Sequence, residues 1–137
     1  MYNGTKVLDI HSHVFAPMHG TLMLAMMLAS NTPLSIDPRT ATDPRRGLRP
    51  EGWAASVAQH VALLDQYTIE AQLIGPRPFL MLGWMKQHLL PAWTRYVNNM
   101  IAKQVSIAPT RFVGAAMLPQ NAHAEDLAHC VPELERA

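Results

Sequence analysis

Phe112-Val113-Gly114-Ala115-Ala116-Met117-Leu118, closed by Pro119, is the run whose reading decides the fold. It is apolar without alternation, which predicts a strand buried on both faces, as in a parallel sheet covered by helices. Upstream, Ala108-Pro109 ends a segment in which Leu89, Trp93, Val97, Met100 and Ile101 share one helical face. Pro91 is admissible there only in the first turn or at a kink. Before that helix, Glu70-Ala71-Gln72-Leu73-Ile74 reads as a strand that Gly75-Pro76-Arg77-Pro78 terminates, because a proline cannot continue regular pairing. Trp53, Val57, Val61 and Leu64 mark the face of a further amphipathic helix, and the first apolar run, Lys6 to Ile10, supplies a first strand. Strand, helix, strand, helix, strand, with crossovers long enough for parallel pairing, is an α/β fold.

The first strand runs into Asp9-Ile10-His11-Ser12-His13. Strict alternation places Asp9, His11 and His13 on one face and Leu8, Ile10 and Ser12 on the other. Two imidazoles pointing the same way suit a transition metal, since neutral imidazole is its commonest ligand and a strand holds the rings without loop entropy. A catalytic zinc usually takes three protein ligands and keeps one position open, so the pair is incomplete. Among the other histidines, His60 falls beside the apolar face of its helix and is expected to be partly exposed. His19, His123 and His129 have no spacing for joint ligation and are expected in loops or at the surface.

The 137 residues, 49% of them hydrophobic, suffice for one domain with a real core. A net charge of +1 gives no reason to expect a nucleic-acid partner. Residues 71–120 nevertheless hold Arg77, Lys86, Arg95, Lys103 and Arg111 without an acid, an excess that suits a small anionic ligand. Cys130 is the sole cysteine, which excludes a disulfide framework and a cysteine zinc cluster and points to a reducing, cytoplasmic setting. The beginning of the chain lacks signal-peptide order. Leu22 to Ala29 is far shorter than the roughly 20 apolar residues of a membrane span and reads as a short helix packed on protein. Ser30 to Gly52, with Pro33, Pro38, Pro44 and Pro50, reads as a long loop insertion. Near the end, Pro132 followed by Glu133, Leu134, Glu135 and Arg136 has the form of a helix start. The last residue is therefore expected to be a cut inside an element.

Taken together, Asp9-x-His11-x-His13, the turn Ile74-Gly75-Pro76-Arg77, the run Arg111 to Gln120 and the Pro-Glu-Leu-Glu-Arg helix start resemble the amidohydrolase-related family. The likeness is to its aminocarboxymuconate-semialdehyde decarboxylase and 4-oxalomesaconate hydratase branch, and it covers nearly the whole chain. The resemblance implies a metal-dependent (β/α)₈ barrel, of which these residues are the N-terminal three βα units. Such barrels run to roughly 250 residues, so the barrel is incomplete.

The resemblance further implies that His11 and His13 hold a divalent metal, zinc foremost and manganese as the alternative. It places the remaining ligands and the acid/base histidine on later strands, so no catalytic residue is expected within this chain. Asp9 is expected to support a ligand histidine by hydrogen bond. Arg77, whose planar fork matches a carboxylate, is expected to bind substrate. The implied activity is that of a lyase, a decarboxylase or hydratase acting on a carboxylated aromatic compound or ring-cleavage product. A metal-dependent hydrolase of an ester, lactone or amide is the alternative, and a catalytically inert product is the third reading. The expected partner is a small carboxylated substrate, with neither nucleic acid nor membrane and with homo-oligomerisation left open.

Overall fold

The computed structural model describes residues 3–14, 50–81 and 86–137. The short helix expected at Leu22 to Ala29, and the loop insertion up to residue 49, lie outside the described residues. The elements are strand β1 (Leu8–His13), helix α1 (Pro50–Gln66), strand β2 (Ala71–Gly75), helix α2 (Leu90–Ile107), strand β3 (Phe112–Gly114) and helix α3 (Val131–Arg136). Short 3-10 turns occupy Pro78–Leu80 and Ala128–Cys130. The expected α/β alternation is present. Helix α1 begins at Pro50, ahead of the expected Trp53, and Pro91 lies within the first turn of α2, where its missing N–H is no loss.

The three strands of the described residues are parallel in the order β1-β2-β3. Gln72 lies opposite Phe112 and Ile74 opposite Gly114, so these four share a face. Both long helices cover that face. His60 of α1 reaches Gln72 and Phe112, and a Cβ on Gly114 would stand 2.9 Å from Ile101 Cγ2 of α2. The glycine thus sets how closely α2 approaches β3. A monotonic strand order with both helices on one side is the arrangement of a barrel segment, not of a doubly wound sheet.

The core lies between that face and the helices and is formed by Val57, Leu64, Ile74, Trp93, Val97, Ile101 and Phe112. Burial of side chains of this kind contributes roughly 1.5–3 kcal/mol each relative to exposure. Trp93 also donates its indole N–H to the Leu80 carbonyl at 2.6 Å, which ties the turn after β2 to α2. Helix α1 closes in a Schellman motif: Thr68 N–H bonds Asp65 O and Ile69 N–H bonds Leu64 O, with Thr68 at φ 56 in the left-handed region.

Two expectations are corrected. The third strand is not buried on both faces: Val113 is 59% exposed while its neighbour Phe112 is 1% exposed. No described residue covers the other face of the sheet at Val113, and Leu8, at 62% exposure on that same face, is open as well. The strand also ends earlier than Leu118. Asn98 of α2 bonds both main-chain groups of Met117, accepting its N–H and donating to its carbonyl, each at 2.8 Å. That side chain replaces a sheet partner.

Two of the five cations of residues 71–120 are engaged within the protein. Arg111 donates to Glu70 O, Ile69 O and Asp65 at 2.7–2.9 Å, and Arg95 lies 3.6 Å from Glu133. No helix among the described residues is long and apolar enough to cross a membrane.

Candidate metal centre

The end of β1 is stitched to the turn after β2 by three bonds. Val14 N–H donates to Gly75 O at 2.9 Å, His13 Nδ1 lies 2.8 Å from Pro76 O, and Arg77 Nε donates to Val14 O at 2.9 Å. The Pro76-Arg77 turn therefore does more than end β2. A carbonyl oxygen only accepts, so the His13 proton sits on Nδ1 and the Nε2 lone pair is the one a metal would meet. The ring of His11 stands 5.3 Å from that of His13, edge to face at 86°.

How the two rings come together differs from simple alternation. Asp9 pairs with Gln72 and Ser12 with Ile74, so β1 takes three steps where β2 takes two, and one extra residue is bulged out. Ser12 consequently returns to the helix-covered face that Asp9 occupies, while His13, opposite Gly75, lies on the open face. The expectation that Asp9, His11 and His13 share one face is thus corrected: the bulge separates Asp9 from His13 and carries His11 between them. Bulges beside functional sites commonly re-aim a side chain in this way.

Asp9 is a hydrogen-bond acceptor within this arrangement, though not for a histidine ring. Its Oδ1 takes the main-chain N–H of His11 at 3.0 Å and its Oδ2 takes the side-chain amide of Gln72 at 2.6 Å. The His11 N–H first, and then the Gln72 amide, hold its carboxyl below the usual range. Gln72 in turn presents Oε1 to His60 Nε2 at 2.6 Å. His60 is not partly exposed, as its helical position suggests, but 4% exposed, and burial pushes its imidazole down against the opposing effect of the Gln72 bond. Its ring meets Phe112 edge-on at 5.1 Å. Sequence reasoning missed both Gln72 and His60. The available signal was a glutamine in the middle of an apolar strand.

Two imidazoles with one ring nitrogen fixed by a carbonyl fit half of a zinc-type donor set. No group of three or more histidine, cysteine or acidic side chains poised for a metal occurs among the described residues. Arg77 is half-buried at the same rim, its Nε directed to Val14. His19 lies outside the described residues. His123 is exposed, whereas His129, in the turn Ala128–Cys130, is half-buried with Nε2 3.0 Å from Pro119 O. A pocket of about 420 Å³ opens at the other end of the strands, lined by Asp65, Glu70, Thr110 and Arg111 among others. Its arginine is engaged by the three acceptors named above, and it stands apart from the histidine pair.

No family model matches the chain. In sequence it is similar to a 2-keto-4-carboxy-3-hexenedioate hydratase from Sphingobium sp. strain SYK-6, at 31% identity over 80 residues, which are 58% of this chain and 23% of that protein. In structure it is similar to 4-oxalomesaconate hydratase from Rhodopseudomonas palustris, with a TM-score of 0.71 at 22% identity over 95% of this chain and 38% of that one. It is also similar to a dihydroxybenzoic acid decarboxylase from Polaromonas sp. JS666, solved with manganese and the inhibitor 2-nitroresorcinol. There the TM-score is 0.58 at 24% identity, covering 96% of this chain and 34% of the other. The chain thus spans well under half the length of each. The resemblance to a hydratase of this kind is present in sequence, and the likeness to the hydratase and the decarboxylase structures is one of fold, as an incomplete barrel.

Proposed function

We propose that this chain carries the metal-holding strand of an amidohydrolase-related lyase acting on a carboxylated aromatic compound or ring-cleavage product. The observation that carries the reading is His13, its Nδ1 committed to Pro76 O and its Nε2 left for a metal, with His11 beside it. Both a sequence relative and a structural neighbour are hydratases, which favours hydration over decarboxylation.

His11 and His13 would hold a divalent metal, zinc or manganese. Bound there, such an ion supplies a Lewis acid that polarises a substrate oxygen and lowers the pKa of water. His13 directs its own proton at the Pro76 carbonyl, so it fixes ring orientation and does not shuttle protons. Arg77, anchored through Nε to the end of β1, would orient a substrate carboxylate at the same rim. Among the described residues no third ligand joins the pair. Alone, therefore, the chain is proposed to bind metal weakly and to be catalytically inert, with further ligands required for turnover.

Metal analysis and assays of the full gene product test this. Zinc or manganese content, with hydratase or decarboxylase turnover abolished by EDTA and restored by metal, is the expected result. A folded full product that neither binds nor needs a divalent metal would overturn it, and ester or lactone cleavage alone would redirect it to the hydrolases.

A further inference from the structure

We propose that Gln72 and His60 are positioning residues for the histidine pair, forming with Asp9 a relay, buried at its His60 end, that holds the β1 bulge on which His11 sits. The proposal rests on the metal reading of His11 and His13 for its purpose, but its geometry stands apart from any metal.

The direction of the relay is fixed by chemistry. Asp9 Oδ1 already accepts the His11 N–H, and its Oδ2 accepts from Gln72 at 2.6 Å, so the group that reaches it is the NH₂. Gln72 Oε1 then faces His60, and because that oxygen also only accepts, His60 Nε2 carries a proton. Rotating the amide by half a turn would break both bonds together. Burial favours the neutral imidazole, which keeps a single N–H in the ring and directs it at Gln72.

The relay ends where the ladder fails. Gln72 is the register partner of Asp9, and the extra residue of β1 lies between Asp9 and Ser12. A bulge leaves ladder groups without their regular partner, and here Asp9 Oδ1 takes the N–H of His11 itself. Helix α1 is thereby linked through β2 to the main chain of one candidate ligand.

The surroundings make the polar residues costly. Gln72 and His60 are 7% and 4% exposed, on a face otherwise built of Ile74, Phe112, Val57 and Leu64. Apolar side chains there would fill the space without desolvating polar groups. What the polar pair adds is a fixed Asp9 and, through it, a fixed His11 backbone.

The test compares the unaltered chain with Gln72→Met, His60→Leu and His60→Gln. The first change keeps length without hydrogen bonding, and the last restores an N–H donor at similar reach. Amide hydrogen exchange of His11 is measured by NMR without metal, and Zn²⁺ is titrated while the His11 and His13 ring signals are followed. Gln72→Met and His60→Leu are expected to speed His11 exchange at least tenfold relative to the β2 amides, and to weaken Zn²⁺ binding by about tenfold or more. His60→Gln is expected to recover most of both. His11 exchange that is unchanged in Gln72→Met, or that accelerates only in step with every other amide, overturns the positioning role. Should His60→Leu not fold, Gln72→Met decides the matter. Ring signals of the unaltered chain that ignore Zn²⁺ overturn the metal reading instead, and the exchange data still decide the relay.

Discussion

His13 Nδ1 lies 2.8 Å from the carbonyl oxygen of Pro76, a bond that joins the last residue of β1 to the turn after β2. The neutral ring is therefore expected as the Nδ1–H tautomer, and imidazole ¹⁵N spectra will report it directly. Added Zn²⁺ should shift the Nε2 resonance of His13 and leave its Nδ1 proton in place. His13→Ala should weaken Zn²⁺ by tenfold or more, about 1.4 kcal/mol of binding. An Nε2–H tautomer in the metal-free chain would contradict the geometry.

Glu133 predicts acid sensitivity at the other end of the chain. Burial acts most strongly on its carboxyl and alone would raise it. Hydrogen bonds from Arg136 and Asn98, with the charges of Arg136 and Arg95, outweigh burial and hold it below its ordinary 4.5. A carboxyl depressed in the folded state binds fewer protons folded than unfolded. Its stabilisation is complete well above pH 4.5 and is lost as pH falls through the lower folded value. Thermal melts across this range should show a steeper loss of Tm below pH 4.5 for the unaltered chain than for Glu133→Gln. Parallel profiles would show that the carboxylate contributes no linkage.

The order of elements was legible because it depends on local signals, namely the apolar spacing of Trp53 to Leu64 and of Leu89 to Ile101, and the prolines after Ile74 and Ala108. The length of β3 was not, since the side chain that ends it, Asn98, belongs to another element. The open face was not legible either, because Phe112 to Leu118 reads alike whether one face or both are covered. At the site, Asp9, His11 and His13 stood out by spacing. The bulge did not, for register is a property of two strands and the spacing within β1 carries none of it. His60 and Gln72 acquire their meaning from each other, 12 residues apart, and neither is distinctive alone.

Thr68 closes α1 at φ 56, a conformation that a β-branched residue rarely adopts. It is retained because the Schellman bonds from Thr68 and Ile69 satisfy carbonyls at the helix end. Thr68→Gly should relieve the left-handed strain at some cost in unfolded-chain entropy, with a net gain of about 0.5–1 kcal/mol. Urea unfolding followed by circular dichroism checks it. A loss of stability would mean that the threonine side chain contributes more than its backbone strain costs.

Leu8, Ile10 and Val113 leave the open side of the sheet apolar, and β1 and β3 are the outer strands among the described residues. In a closed barrel such positions face other strands and no edge remains. Here their exposure favours pairing between copies, so the isolated chain is expected to elute in size-exclusion chromatography as a dimer or larger species, in proportion to its concentration. Val113→Lys and Leu8→Glu each place a charge on that face. Each should shift the equilibrium toward monomer while changing chain stability by no more than about 0.5 kcal/mol, as is usual for exposed positions. The two together are expected to act more strongly than either alone, because Leu8 and Val113 lie on the same face of adjacent strand pairs. A monodisperse monomer of the unaltered chain at every concentration would show that this face does not drive association.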